Sequence, residues 1–482
     1  MQLLATLFPE PRGRIPRSHS FWDGKKKAFG ITITVTFVLL QLLFLGNLSY
    51  LYGSLFRDTE KTHNLNILMV DYDQGILGQS LAAAVEQLSA DTFPGMHSHT
   101  VQQYPDPSDV VRTVRDGNYW GAIYTHPGAS ERLAAAFQGG SAATNYNTSD
   151  VVTYVFNGAR YPTVEQGFVQ ANMETLISVM RIAYNNINGT AVLRSGSIVD
   201  ETAAQILLNP FVTTYTNVKP TEQGTRVLLN TVTMILPIIQ QFFFLMALNG
   251  ISAQFKFYRH LPIKHNAAIR LILGLSYTFM GSLCMTGYIW AFRENWDVSG
   301  GQFMLTWMLC WLFMQINFLV MDVATGFIPP SFLSFFVLTW AIMNVTSTIF
   351  PFELNAGFYH WGYFFPAHSA WETLVNIWSG GGYHKLYRSL PILFAWWVVL
   401  IPLAVSAMHW RCTKAVREDE ARDLAMNVAA NDADTTDKEE LSDYARRPSS
   451  ERDDGLSRAH MAGHNPHMPM PFGEAMARIG SN

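Results

Sequence analysis

Apolar residues recur along the chain at two rhythms. Six unbroken runs reach the length a helix needs to cross a bilayer, about 20 mostly apolar residues. They cover 29–51, 227–251, 268–291, 303–327, 331–350 and 389–410. The first, "FGITITVTFVLLQLLFLGNLSYL", is longer than the apolar core of a cleaved signal peptide, so it reads as an uncleaved signal anchor. No comparable run interrupts 52–226, where the rhythm shortens. "LNILMVDY", "YWGAIYTH" and "VVTYVFNGA" are short and rich in strand formers, whereas "ILGQSLAAAVEQL" sets Leu77, Leu81, Val85 and Leu88 at helical spacing. "PSDVVRTVRDGNY" predicts a capped helix ended by Gly117, "GASERLAAAF" another, and 163–187 a long helix leading back toward the membrane. The pattern predicts an α-helical multi-pass membrane protein of six transmembrane helices, with an α/β extracytoplasmic domain inserted between helices 1 and 2.

Charge orients these runs. Lys25-Lys26-Lys27 precede the first, "QFKFYRHLPIKHNAAIR" carries Lys256, Arg259, Lys264 and Arg270, and Arg411, Lys414 and Arg417 follow the last. Basic loops stay in the cytoplasm, so six spans put both termini there and 52–226 outside or in a lumen. The expected domains are a cytoplasmic arm over 1–28, helix 1 over 29–51, the extracytoplasmic domain over 52–226, a five-helix transmembrane domain over 227–410 with an interfacial segment at 351–388, and a disordered cytoplasmic tail over 411–482. The tail is polar with few aromatics, and "ARRPSSER" offers Ser449 and Ser450 as candidate phosphorylation sites. On the external side, Asn147 and Asn188 open Asn-x-Ser/Thr sequons and are candidate glycosylation sites. The sequons at Asn47 and Asn344 fall inside spans.

Composition agrees with a membrane protein: 15% of the 482 residues are charged, against about 25% in soluble proteins. A net charge of −4 gives no basic field for nucleic acid, and three cysteines are too few for a disulfide framework. The stretch with the look of chemistry is Asp71-Tyr72-Asp73-Gln74-Gly75. As a calcium loop it fails, because Gly75, Ile76 and Ala82 stand where an acid, the glycine and the final Glu belong. As a sugar-nucleotide motif it lacks a preceding nucleotide-binding lobe. It reads as a strand-to-helix turn, with Asp73 tolerating unusual dihedrals and Gly75 accepting a positive φ. Neither a catalytic centre nor a metal or other cofactor is expected, and the chain is not read as an enzyme. His360, His368 and His384 have no paired spacing for a metal.

Three membrane features stand out. Asp322, in "FLVMDVATGF", would cost about 3 kcal/mol at mid-membrane and needs a partner or cavity, unless its nearness to Pro329 lets it reach the interface. Proton relay, structural contact and interfacial position all fit it. Gln240 and Gln241 lie beside Pro237, suiting a kinked packing contact or a substrate contact. In the segment 351–388, Ala370, Trp371, Leu374, Val375 and Trp378 fall on one face, as in an interfacial amphipathic helix or a lid over a lipid or drug pathway.

"VDYDQGILGQSL" and "VVRTVRDGNYWGAIYTHPGASERL" resemble the external domain of the bacterial phage-infection-protein (Pip) family and that of type-2 ABC exporter permeases. Val70 to Gly75, Gly117 to Pro127 and "YFFPAHSAWETLVNIWSGGG" carry the likeness, which extends over about 20–410 and is closest to fungal nitrosoguanidine-resistance proteins. The resemblance implies resistance to toxic compounds, by export or by altering lipid or amphiphile distribution. No G-x-x-x-x-G-K-[ST] loop occurs, so an exporter of this kind would draw on a partner ATPase or an ion gradient. The alternative is a non-transporting scaffold or regulator of another transporter or flippase. Expected partners are membrane lipids, a separate ATPase subunit or transporter, and further copies of the chain. The expected location is the plasma membrane, with an internal secretory-pathway membrane as the alternative.

Overall fold

The computed structural model describes residues 15–446 apart from 17, 197, 199, 222 and 223, with side chains as far as 428. Ser449 and Ser450 lie outside the described residues. After the entry helix α1 (Lys25–Ser54) the chain builds a five-stranded sheet. Its elements are β1 (Asn66–Asp71), α2 (Ile76–Leu88), β2 (Gly95–His99), α3 (Pro107–Arg115), β3 (Gly121–Thr125), α4 (Ala129–Ala136), β4 (Val152–Phe156), α5 (Ala171–Tyr184) and β5 (Thr214–Asn217). The strands lie in the order β2-β1-β3-β4-β5. β1 pairs in parallel with β2 and β3, β3 runs antiparallel to β4, and β4 is parallel to β5. β3 and β4 are buried at every position, as strands covered on both faces are.

The sequence predicts that 163–187 leads back to the membrane. The helix does form, running on from Pro162 through two widened turns, but the chain then returns to the sheet as β5. Only afterwards come α6 (Val232–Gln254), α7 (Ile263–Ala291), α8 (Gly300–Phe327), α9 (Pro330–Ile349), α10 (Pro366–Trp378) and α11 (Leu386–Arg446). Among the described residues, six helices are long and apolar enough to cross a membrane, by length and composition: α1, α6, α7, α8, α9 and α11. Along α1, the most apolar stretch has none of its residues buried against protein.

Two compact units divide the chain. The first joins the described residues up to Ile235 with Ile289–Thr306 and Ser334–Ile392, and the second joins Leu236–Tyr288, Trp307–Leu333 and the described residues from Leu393 on. The sheet and the segment 351–388 fall together in the first unit.

Two expectations need correcting. Helix α10, within 351–388, does not present a single apolar face, because every residue of it except Ile377 is buried, while Phe358, Trp361 and Phe364 before it are exposed. Trp378 explains this: its ring lies 5.1 Å from Trp296 and 5.8 Å from Trp371, and its Nε1 donates to Thr306 Oγ1 at 3.1 Å. The tail is not disordered from residue 411, since α11 stays helical to Arg446. Over 414–426, "KAVREDEARDLAM", good helix formers and a Lys414–Glu418 pair four residues apart at 3.8 Å suit that continuation.

Candidate functional site

Asp322 lies in the last turns of α8 and is 3% exposed. Its Oδ1 receives Arg270 Nε at 2.5 Å and Arg411 NH2 at 2.9 Å. Arg270 is fixed from further sides: NH2 donates to Asn249 Oδ1 at 2.8 Å and NH1 to Tyr258 OH at 3.0 Å. Tyr258 in turn donates to Asn249 at 3.1 Å. Arg411 also donates to the Asp322 carbonyl and to Thr325 Oγ1. One carboxylate thus joins residues of α6, α7, α8, α11 and the short helix Phe257–His260. Ionised groups inside spans persist when paired in this way, because each alone would carry its full desolvation cost.

A small residue makes the arrangement fit. A Cβ on Gly326 would stand 2.8 Å from Ala407 Cβ and 3.4 Å from Arg411 NH2. Glycine therefore lets α8 and α11 approach closely enough for Arg411 to reach Asp322. Two guanidinium groups meet one carboxylate, so the site keeps one positive charge in excess. Arg411 Nε and NH1 are buried and have no hydrogen-bond partner among the described residues.

Two apolar crevices end at this site. One, of about 170 Å³, is lined by Leu271, Phe318, Ile401 and Val405 and reaches both Arg270 and Asp322. The other, of about 250 Å³, runs between Phe244, Ile251 and Leu273 to Arg270 and Tyr258. Arg270 and Met408 belong to both. Several wall residues are exposed on the protein surface, Val405 by 54% and Leu271 by 52%, so in a bilayer the crevices open toward acyl chains. The arrangement offers an apolar slot closed by a guanidinium, which suits an amphiphile with an anionic head.

The other predicted residues lie elsewhere. Gln240 points its amide to where a Cβ on Gly281 would be, 2.8 Å away. Gln241 is fully buried, and neither amide atom has a hydrogen-bond partner among the described residues. Asp71 and Asp73 hold the first strand-to-helix turn. Asp71 Oδ1 accepts from the backbone N–H of Asp73 and Gln74 at 3.1 and 3.0 Å and from Thr125 Oγ1 at 2.6 Å. Asp73 accepts from Ser130 N at 2.7 Å, from the Ser130 hydroxyl and from Gly75 N at 3.2 Å. The positive φ expected at Gly75 belongs instead to Gln74, at 51°. Gly75 has φ −112° and is needed for space, since a Cβ there would stand 2.6 Å from Ser130 Cβ. Asn147 is exposed in a loop, whereas Asn188 is half-buried in a helical segment and donates to Tyr184 OH at 3.3 Å.

Sequence reasoning found the acid and missed its partners. The charge pattern uses Arg270 and Arg411 only as markers of cytoplasmic flanks; the structure buries both inside helices. A usable signal existed: each arginine abuts an apolar run, and a buried acid needs a cation within reach.

A family model described as a protein of unknown function, DUF3533, matches residues 36–401. A Saccharomyces cerevisiae protein described as an uncharacterized endoplasmic reticulum membrane protein is 23% identical over 428 residues, covering 79% of this chain and 81% of that relative. No solved structure matches. With the family match spanning most of the chain and six helices able to cross a bilayer, the chain is a membrane protein of the DUF3533 family.

Proposed function

We propose that this protein takes amphiphiles with an anionic head from the bilayer and alters their distribution, in the manner of an exporter permease, and so contributes to resistance to toxic compounds. The observation that carries the reading is the pair of lipid-facing apolar crevices that converge on Arg270, beside Asp322. An acyl or aromatic tail occupies a crevice, and the head meets the positive charge left over from two arginines and one aspartate. Burial of the tail follows apolar area, about 25 cal/mol per Å². The resemblance to nitrosoguanidine-resistance proteins and to exporter permeases supports the same direction. The sheet lies on the lumenal side in this reading, with both termini cytoplasmic. The membrane is that of the endoplasmic reticulum, as the yeast relative's description suggests.

Photolabelling tests the reading. Purified protein in nanodiscs is exposed to a photoactivatable fatty acid, with unlabelled fatty acid as competitor. Leu273→Trp and Val405→Trp each fill one crevice. Saturable labelling that falls in both variants supports the proposal, and a deletion strain should then become sensitive to amphiphilic toxicants. Labelling that does not saturate, or that ignores both tryptophans, overturns it.

A further inference from the structure

The first unit contains a second buried polar group that the reading above does not use. A cavity of about 220 Å³ lies among residues of the sheet region and of the segment 351–388. Arg160, in the turn after β4, is 5% exposed and stands 3.4 Å over the Trp120 ring. Its NH2 lies 3.6 Å from Glu353 Oε1, which also accepts from Trp120 Nε1 at 3.3 Å. Glu372 of α10 accepts from Tyr383 OH at 3.1 Å and from Arg388 NH2. Tyr383 is held at φ 60°, with its N–H donating to Arg115 O at 2.6 Å. The loop that shapes the cavity is therefore tied to the end of α3.

The internal pairing leaves donors over. Among the residues that line the cavity, Arg160 Nε, Arg388 Nε and Tyr161 OH are buried without a partner among the described residues, against one carboxylate oxygen, Glu372 Oε2; the two unpartnered oxygens of Glu165, which also feels Arg160, lie outside the lining. Charge is unbalanced in the same sense. Arg160, Lys385 and Arg388 line the cavity with two carboxylates, Glu353 and Glu372, a surplus of one positive charge. Lys385 makes no ion pair among the described residues. Buried donors and a surplus cation call for an acceptor-rich anion. Arginines favour phosphate oxygens, which accept their N–H groups in pairs.

We propose that this cavity binds a small phosphate-bearing ligand, whose oxygens take the free donors of Arg160, Arg388 and Tyr161 and the charge of Lys385. A soluble phosphate monoester and a phospholipid headgroup share that chemistry. The site is separate from the crevices at Arg270, so it stands or falls independently of the proposed transport.

The test uses the full chain purified in detergent. Titration calorimetry measures binding of glycerol 3-phosphate and of inorganic phosphate. Native mass spectrometry compares retention of phosphatidic acid with that of phosphatidylcholine. Saturable glycerol 3-phosphate or phosphate binding identifies a soluble ester, and selective phosphatidic acid retention identifies a headgroup. Lys385→Gln, at a half-buried unpaired side chain, should weaken binding about ten-fold, and Arg388→Gln by more. Leu273→Trp should leave it unchanged. The absence of saturable binding for glycerol 3-phosphate, phosphate and phosphatidic acid overturns the proposal, as does wild-type affinity in both Lys385→Gln and Arg388→Gln.

Discussion

Replacing Asp322 by alanine removes the one carboxylate that Arg270 and Arg411 share. Both arginines stay buried, at 5% and 8% exposure. Arg270 keeps Asn249 and Tyr258, whereas Arg411 keeps, among the described residues, only the residue 322 carbonyl and Thr325. Breaking a buried pair from one side costs about 3–5 kcal/mol, because it strands a charge in a low-dielectric site. Here two charges of the same sign are stranded, so the loss belongs at the upper end of that range. It corresponds to a fall in midpoint on the order of 10 °C. The assay heats detergent-solubilised protein and follows loss of the monodisperse peak on size-exclusion chromatography. Arg411→Met made together with Asp322→Ala removes one stranded charge and should recover at least half of the loss. Because the pair is buried, raising the salt from 0.15 to 1 M should change little. An Asp322→Ala protein as stable as wild type, or a double variant no better than the single one, refutes the account.

Three further outcomes follow. Burial pushes the Glu165 carboxyl well above the usual carboxylate range, against the pull of Arg160. A raised acid pKa contributes stability below the unfolded value, lost as pH rises through the folded one, so Glu165→Gln should raise the melting midpoint at pH 8 and leave it nearly unchanged at pH 4; equal shifts at both would sink this. Gln241→Met replaces a buried, unpartnered amide with an apolar chain of similar size and should stabilise by about 1 kcal/mol or more, read as a higher midpoint, with a lower one counting against it. Endoglycosidase digestion should shift the wild-type band on a gel, Asn147→Gln should abolish the shift, and Asn188→Gln should keep it, because Asn188 is half-buried and held to Tyr184; an unglycosylated wild-type protein would refute the lumenal placement of the sheet.

What the sequence disclosed depended on burial. β1, β3 and β4 were visible because their positions are mostly or wholly covered, which selects runs of strand formers. β2 and β5, "GMHSH" and "TYTN", were missed. They are the sheet's edges, partly exposed, and carry no apolar alternation to read. The long helices were legible for the opposite reason, since lipid-facing surfaces are apolar whether or not protein covers them. That same fact hid α10: a helix buried all round and one lying at an interface both collect tryptophans, and the sequence does not separate the two. Asp322 was conspicuous as an isolated acid. Arg270 and Arg411 were not, because arginines at the margins of apolar runs also mark cytoplasmic flanks, and only the packing of α7, α8 and α11 turns them inward.

The order in which the charged groups leave the ribosome bears on how the bundle can be assembled. Arg270 emerges 52 residues before Asp322, and Arg411 follows the aspartate by 89. Asn249 and Tyr258, which also hold the Arg270 guanidinium, have been synthesised before it. A nascent chain can therefore shelter its first intramembrane cation in a neutral cradle of earlier residues. The aspartate then arrives into a waiting positive site, and the last helix is drawn in by the carboxylate. Translation supplies the network in an order in which each incoming charge already has a partner, so a variant lacking Asn249 should burden the membrane-insertion machinery before it burdens the finished protein.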